Sequence, residues 1–342
     1  MPMSKSMTWL AIPCVLAVLA VPARAAESPV VLRVGDSLPV GHFLSEYATK
    51  PWMQAVTQAI GAKVKFEYFP AEQLGKAKDL LALTASGVID VGYVVPAYVP
   101  DKLPLSGVAE LPGSFASSCA GTSAYWKLAN GGILGRQEFA PRSVRPLFSL
   151  VLSPYQIFTA RHPIDSLASF EGLKLQTTGG AKEAMVRKLK AVPVRVAGPE
   201  MYESLSRGTI DGLLLPYASI SSYDLQKLVR YATQGANFGS VVTTYVISEA
   251  KLKRLPEEVR AALIAAGDRI TQQACAKVDQ SVMADTEKLR AEGVTMQRLS
   301  PALRTSIGRL GEEVAVEWAR ALDKRALPGT EVLKQFREAL KP

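Results

Sequence analysis

The sequence predicts an α/β fold built as two hinged lobes, and three observations carry that reading. The stretch from Phe170 to Gly212 runs strand, helix, strand, helix, strand. The stretch from Val30 to Val95 has the same grammar. Both end alike, on Ala85-Ser86-Gly87-Val88-Ile89-Asp90 and on Gly208-Thr209-Ile210-Asp211-Gly212. Repeated βαβαβ order implies two mainly parallel sheets with right-handed crossovers.

Each element has a local reason. Lys5, the apolar run Trp9 to Val21 and Ala23-Arg24-Ala25 have the order of an export leader, so residues 1–25 are expected to be removed as a signal peptide. Val30 to Gly35 is the first strand. His42 to Ile60 reads as a helix closing at Gly61, and Val64 to Phe69 alternates as a strand. A helix over 76–86 and a strand over 89–95 complete the first unit. Residues 96–112 are proline-rich, so a continuous helix is excluded, and the segment is expected to cross the mouth of the first lobe. A helix over 117–131 and strands over 145–151 and 155–161 lead into the second lobe.

There, Leu173 to Thr177 is a strand, Gly179-Gly180 a flexible turn, and 181–190 a helix. Pro193 to Val196 is β-rich. Pro199 suits a first helical turn and Glu200 suits the positive end of its dipole, while Gly208 stops that helix before a buried strand. Tyr217 to Lys227 reads as a polar helix. The run V-V-T-T-Y-V-I within 236–248 is β-rich and returns the chain to the first lobe. A helical pattern from Pro256 to Glu292 is long enough to span both lobes, and two more helices end the chain. The expected organisation is residues 26–153 and 239–275 in the first lobe, 154–238 and 276–342 in the second.

Composition narrows the function. The net charge is +9, but the basic residues are scattered and do not interleave with aromatics, so nucleic acid is not an expected partner. With two histidines and three cysteines at no ligand spacing, no metal site and no cofactor are expected. Cys14 belongs to the leader. Cys119 and Cys275 then form either one disulfide in an oxidising compartment or two buried thiols.

The chain resembles the solute-binding proteins of tripartite ATP-independent periplasmic (TRAP) transporters, the DctP family. The resemblance rests on L-R-V-G-D-S-L-P-V-G-H near the mature start, Tyr68-Phe69-Pro70-Ala71-Glu72-Gln73-Leu74-Gly75, the two Gly-x-Ile-Asp turns, and Glu110-Leu111-Pro112. Phe170-Glu171-Gly172-Leu173-Lys174-Leu175 and Pro199-Glu200-Met201-Tyr202-Glu203-Ser204-Leu205 complete the ordered set over nearly the whole mature chain. It implies a periplasmic-binding-protein-like fold without catalysis, which captures a small solute, commonly an organic acid, and docks on a separate membrane permease. The expected location is the periplasm.

The departures bear on the ligand. The family usually carries an arginine after the G-L-K-[IL] strand, whose fork clamps a carboxylate. Here that residue is Gln176. A second arginine of some members aligns with Gln156, and an asparagine often found before the proline after G-x-I-D-G is Leu215. Either the solute is neutral, aromatic or weakly polar, or an organic acid is held by amides and backbone N–H groups, with Arg161 or Lys182 as cations that could reach in. Gln176, Gln156 and Leu215 are therefore candidate ligand contacts. Tyr93, Tyr98 and Tyr217 join them as aromatic walls near strand ends, and His42 as a donor at the start of the first helix. Asp90 and Asp211 read as braces for their turns. The competing readings are an exported α/β enzyme, which lacks a G-x-S-x-G elbow or phosphate loop, and a ligand-binding subunit of a sensor or of another transporter type.

Overall fold

A computed structural model describes residues 1–2 and 28–341. The expected leader over 1–25 falls outside the described residues apart from its first two. Eleven strands form two sheets. In chain order the strands are β1 (Val30–Gly35), β2 (Val64–Phe69), β3 (Val91–Val94), β4 (Val144–Val151), β5 (Gln156–Thr159), β6 (Lys174–Thr177), β7 (Val192–Arg195), β8 (Gly212–Leu215), β9 (Tyr231–Gln234), β10 (Val242–Ser248) and β11 (Thr295–Arg298). The helices are α1 (Lys50–Ile60), α2 (Leu80–Ala85), α3 (Ser118–Ala129), α4 (Gly180–Lys188), α5 (Met201–Ser206), α6 (Tyr217–Ser222), α7 (Glu249–Arg254), α8 (Glu257–Ala291), α9 (Pro301–Asp323) and α10 (Gly329–Ala339).

The first sheet has the order β2-β1-β3-β10-β4 and the second β11-β9-β5-β8-β6-β7. In each, three strands of one βαβαβ unit run parallel, and the strands that cross between lobes add antiparallel. The chain crosses from β4 to β5 through Leu152–Tyr155 and returns through Phe238–Val241. These segments pair where they meet: Leu152 N–H donates to Val241 O and Tyr155 N–H to Gly239 O. Two short crossings side by side make a hinge.

The 35-residue α8 is about 52 Å long at 1.5 Å per residue. It touches α1, α3 and β4 of the first lobe and α6 and β11 of the second. Gly267 makes the approach to β4 possible, because a Cβ there would lie 1.9 Å from Leu147 O. The buried Trp52 indole donates to Leu263 O of α8, and Trp126 donates to Asp268. Cys119 on α3 and Cys275 on α8 are joined as a disulfide, with Cα atoms 4.8 Å apart.

The sister turns share one device. Asp90 accepts the Arg33 backbone N–H at 2.8 Å, and Asp211 accepts the Lys174 backbone N–H at 2.8 Å. The side chain of Arg33 then donates to Gly87 O, and that of Lys174 to Gly208 O. Lys251 adds a second cation to Asp90 at 3.1 Å. Burial pushes the Asp90 carboxyl up, but the Arg33 and Lys251 contacts outweigh it and hold it below the usual range.

Some elements differ from expectation. The helix expected from residue 42 starts as a π turn over Ser45–Thr49 before α1. The helix expected over 76–86 shortens to α2. The proline-rich segment holds a helical turn at Leu105–Glu110, because Pro104 and Pro112 flank it rather than interrupt it. Strands β9 and β11 form an edge that the residue pattern does not announce.

Candidate functional site

The strand ends of both sheets face the gap between the lobes, where α/β ligand sites open. A cavity there is lined by His42, Tyr93 and Tyr98 from the first lobe and by Tyr155, Gln176, Thr178, Leu215 and Tyr223 from the crossing and the second lobe. It is small, about 40 Å³. Tyr223 also lines a hollow of about 580 Å³, with Ser37, Glu72 and Lys227.

Polar satisfaction singles this cavity out. Among the described residues, five buried side-chain polar atoms lack a hydrogen-bond partner. Three of them, His42 Nε2, Gln176 Oε1 and Thr178 Oγ1, belong to residues lining it. A buried polar atom left alone costs about 1–3 kcal/mol, so three at one place are a feature in need of a function.

Their chemistry is set by their other bonds. His42 is 1% exposed. Its Nδ1 accepts the Leu44 N–H at 3.2 Å, so in the neutral ring Nε2 carries the proton. Burial pushes its pKa down to about 3, so the ring is neutral. Gln176 lies on β6, between β8 and β7, and its Nε2 donates to Val196 O at 2.9 Å, which leaves Oε1 as a buried acceptor without a protein partner. Thr178 precedes Gly179 and Gly180, whose φ values of +100° and +57° favour glycine and turn the chain from β6 into α4.

Tyrosines form the wall. Burial pushes the hydroxyls of Tyr93 and Tyr155 well above the usual tyrosine range and that of Tyr98 up to about 12, so all three keep their protons. Tyr98 OH accepts the Gly198 N–H at 3.1 Å across the gap. Tyr223 packs edge-on against His42 at 5.0 Å, also across the gap. Gly198 leaves room for Tyr223, since a Cβ there would lie 2.6 Å from the Tyr223 hydroxyl.

Two charged groups lie behind this wall. Asp36, at the end of β1, accepts from Tyr68 OH at 2.6 Å and from Tyr245 OH at 3.1 Å. Burial raises its pKa to about 6, against these hydrogen bonds. Lys182 on α4 is 1% exposed and lies 5.1 Å from the centre of the Tyr155 ring. Its ammonium donates to Ser240 O at 2.9 Å and pairs with Glu110 at 3.7 Å. Burial raises Glu110 and lowers Lys182, and their attraction opposes both shifts. The Lys182 charge is thus already paired.

The structure brings together His42, Tyr93, Tyr98, Gln176 and Leu215 of the sequence candidates. It places Gln156 and Tyr217 elsewhere, at a larger hollow of about 770 Å³ behind the hinge. There Gln156 donates to Ala236 O at 2.6 Å and accepts from Thr233 Oγ1 at 3.1 Å, and Tyr217 OH donates to Thr233 O. Sequence reasoning missed Tyr155, Thr178 and Tyr223. Thr178 had a signal, its place between β6 and a glycine pair, whereas the two tyrosines had none. Among the described residues no group of His, Cys, Asp and Glu could hold a metal ion, and no helix is long and apolar enough to cross a membrane.

Comparison with known proteins places this architecture in a class. Residues 34–320 match the family of bacterial extracellular solute-binding proteins, family 7 (DctP), and the chain belongs to that family. A solute-binding protein of Roseobacter denitrificans is 24% identical over 301 residues, 85% of this chain and 88% of that protein. The C4-dicarboxylate-binding periplasmic protein DctP of Rhodobacter capsulatus is 24% identical over 72% of each chain. A marine metagenome TRAP solute-binding protein specific for aromatic acid ligands shares the fold with a TM-score of 0.85, at 24% identity, covering 91% of this chain and 98% of its own. A Bordetella bronchiseptica TRAP solute-binding protein with bound mandelate superposes with a TM-score of 0.83 at 24% identity over 91% and 99%.

Proposed function

We propose that this chain is an exported, periplasmic solute receptor that closes its two lobes around one small organic solute and delivers it to a TRAP-type membrane permease. No catalytic step is required. The lobes comprise residues 26–153 with 239–275, and 154–238 with 276–342, after loss of a signal peptide over 1–25. The observation that carries the reading is that three residues lining one interlobe cavity each hold a buried polar atom without a partner, in a chain of this family. Closure follows from binding because both lobes contribute: the solute drives it only by contacting His42 and Gln176 together, and so favouring the closed form.

Gln176 stands where the family usually has its carboxylate-clamping arginine, so an uncharged or aromatic solute is the leading class. The aromatic acids bound by structural relatives favour a second reading, an organic acid held by neutral donors such as His42 Nε2–H and the Tyr98 hydroxyl. A cavity of about 40 Å³ holds little more than a water molecule, so any organic solute requires the lobes to sit further apart than they do here. A thermal-shift screen of the mature protein against acids, aromatic compounds and neutral polar solutes tests the proposal. A solute at 100 times its Kd adds about 2.7 kcal/mol. A panel-wide absence of shifts, or shifts unaffected by changes at His42, Gln176 and Tyr98, would sink it.

A further inference from the structure

We infer that the solute presents an uncharged, amide-like edge, an acceptor next to a donor, as in a primary carboxamide or a lactam. This deepens the receptor reading and rests on it. The edge follows from the three atoms. His42 Nε2 is a donor because Nδ1 already accepts from Leu44 N–H. Gln176 Oε1 is an acceptor because its nitrogen faces the Val196 carbonyl, and the reversed amide would set two oxygens against each other. Thr178 Oγ1 supplies a hydroxyl that either gives or takes. A carbonyl oxygen on the solute answers His42, and an N–H on the same solute answers Gln176.

A carboxylate answers only half of that set. It accepts from His42 but brings a negative charge against the Gln176 oxygen. None of the described residues lining the cavity is a lysine or arginine, and Lys182 lies at the Tyr155 ring, tied to Glu110 and Ser240. A protonated carboxylic acid has the right edge. An acid of ordinary pKa is less than about 1% protonated at pH 7, so its apparent affinity trails that of the matching amide by more than about a hundredfold.

The test uses matched solutes on the mature full chain, read by titration calorimetry: propionamide, propionate and N,N-dimethylpropionamide, then benzamide and benzoate. Expected are binding of propionamide or benzamide, at least tenfold weakening for the dimethylamide, and at least hundredfold weakening for the carboxylate at pH 7. Any residual carboxylate affinity rises about tenfold from pH 7 to pH 6, as the protonated form does. Gln176→Ala erases the gap between the primary and dimethyl amides. Thr178→Val, nearly isosteric, weakens the primary amide while the circular dichroism spectrum stays unchanged. A carboxylate that binds more tightly than its own amide at pH 7 overturns the inference and, if it depends on His42 and Gln176, leaves the receptor reading intact. Binding of neither propionamide nor benzamide at 10 mM also overturns it. Hits indifferent to His42, Gln176 and Thr178 overturn the receptor site itself.

Discussion

The molecule offers two hollows that sequence candidates point to, and they differ in kind. The one behind the hinge is about 770 Å³, lined by Gln156 and Tyr217, whose polar atoms are engaged with Ala236 and Thr233. The one between the lobes is about 40 Å³, yet three lining residues hold polar atoms without partners. Size marks where elements leave a gap. Unsatisfied polarity marks where a partner is missing, and under the proposed function that partner is the solute. The two glutamines make the contrast testable, because the Gln156 amide is bonded at both ends whereas the Gln176 oxygen has no partner.

The largest effect is expected behind the wall of the small cavity. Lys182→Met leaves the Glu110 carboxylate, 2% exposed, without its cation. Removing one partner of a buried pair costs about 3–5 kcal/mol. Urea unfolding checks this, and adding Glu110→Gln to Lys182→Met should recover most of the loss. If the single variant unfolds at the wild-type midpoint, the pair is not what pins α4 to the first lobe.

Next comes Gln156→Ala. It strands the Ala236 carbonyl and takes the acceptor from the Thr233 hydroxyl, which still accepts from Ile157 N–H, and the expected loss of stability is about 1–3 kcal/mol with solute affinity within about twofold of wild type. Gln176→Ala reverses the pattern. It removes one bond, to Val196 O, for about 1 kcal/mol of stability, but weakens solute binding at least tenfold, about 1.4 kcal/mol. A Gln156→Ala variant that loses binding while keeping its melting temperature would collapse the distinction between the hollows.

These residues also show what the sequence made legible. The βαβαβ grammar, the crossings and the long α8 follow from hydrophobic period and from glycine and proline positions, which are local. The Asp90 and Asp211 braces were legible because the same residues recur at the same spacing, and each finds its backbone N–H one strand away. Strands β9 and β11 were not, since each has only four residues and neither alternates: β9 buries its two middle residues and the edge strand β11 buries none, so no period of two is set. At the site, motif position located Gln176 and Leu215. It could not separate Gln156 from Gln176, because whether an amide turns to Ala236 O or to a cavity is decided by tertiary packing. Tyr155 and Tyr223 enter the cavity through the hinge crossing and through the end of α6, neither of which has a local signature.

The smallest effect concerns pH, and it tests His42 directly. Burial sets its pKa at about 3, so the ring stays neutral from pH 8 to pH 5 and affinity for an uncharged solute should vary by less than about twofold across that range. The same depression acts on stability with a definite sign. Below about 6.5 the unfolded chain protonates this histidine while the folded chain does not, so folding weakens as pH falls, by up to about 1.4 kcal/mol per unit. Asp36 works the other way: with its folded pKa raised to about 6, the folded carboxyl takes its proton first, and folding strengthens as pH falls from there toward the ordinary carboxylate range. Glu138, raised to about 7 by burial, adds to that side. The wild-type midpoint therefore mixes opposing slopes, and the variants separate them. Relative to wild type, His42→Gln should gain about 1 kcal/mol per unit between pH 6 and pH 5, and Asp36→Asn should lose ground over the same window. A His42→Gln difference that stays level with pH would mean that the ring charges in the folded protein, and a charged His42 would make the small cavity an anion site after all.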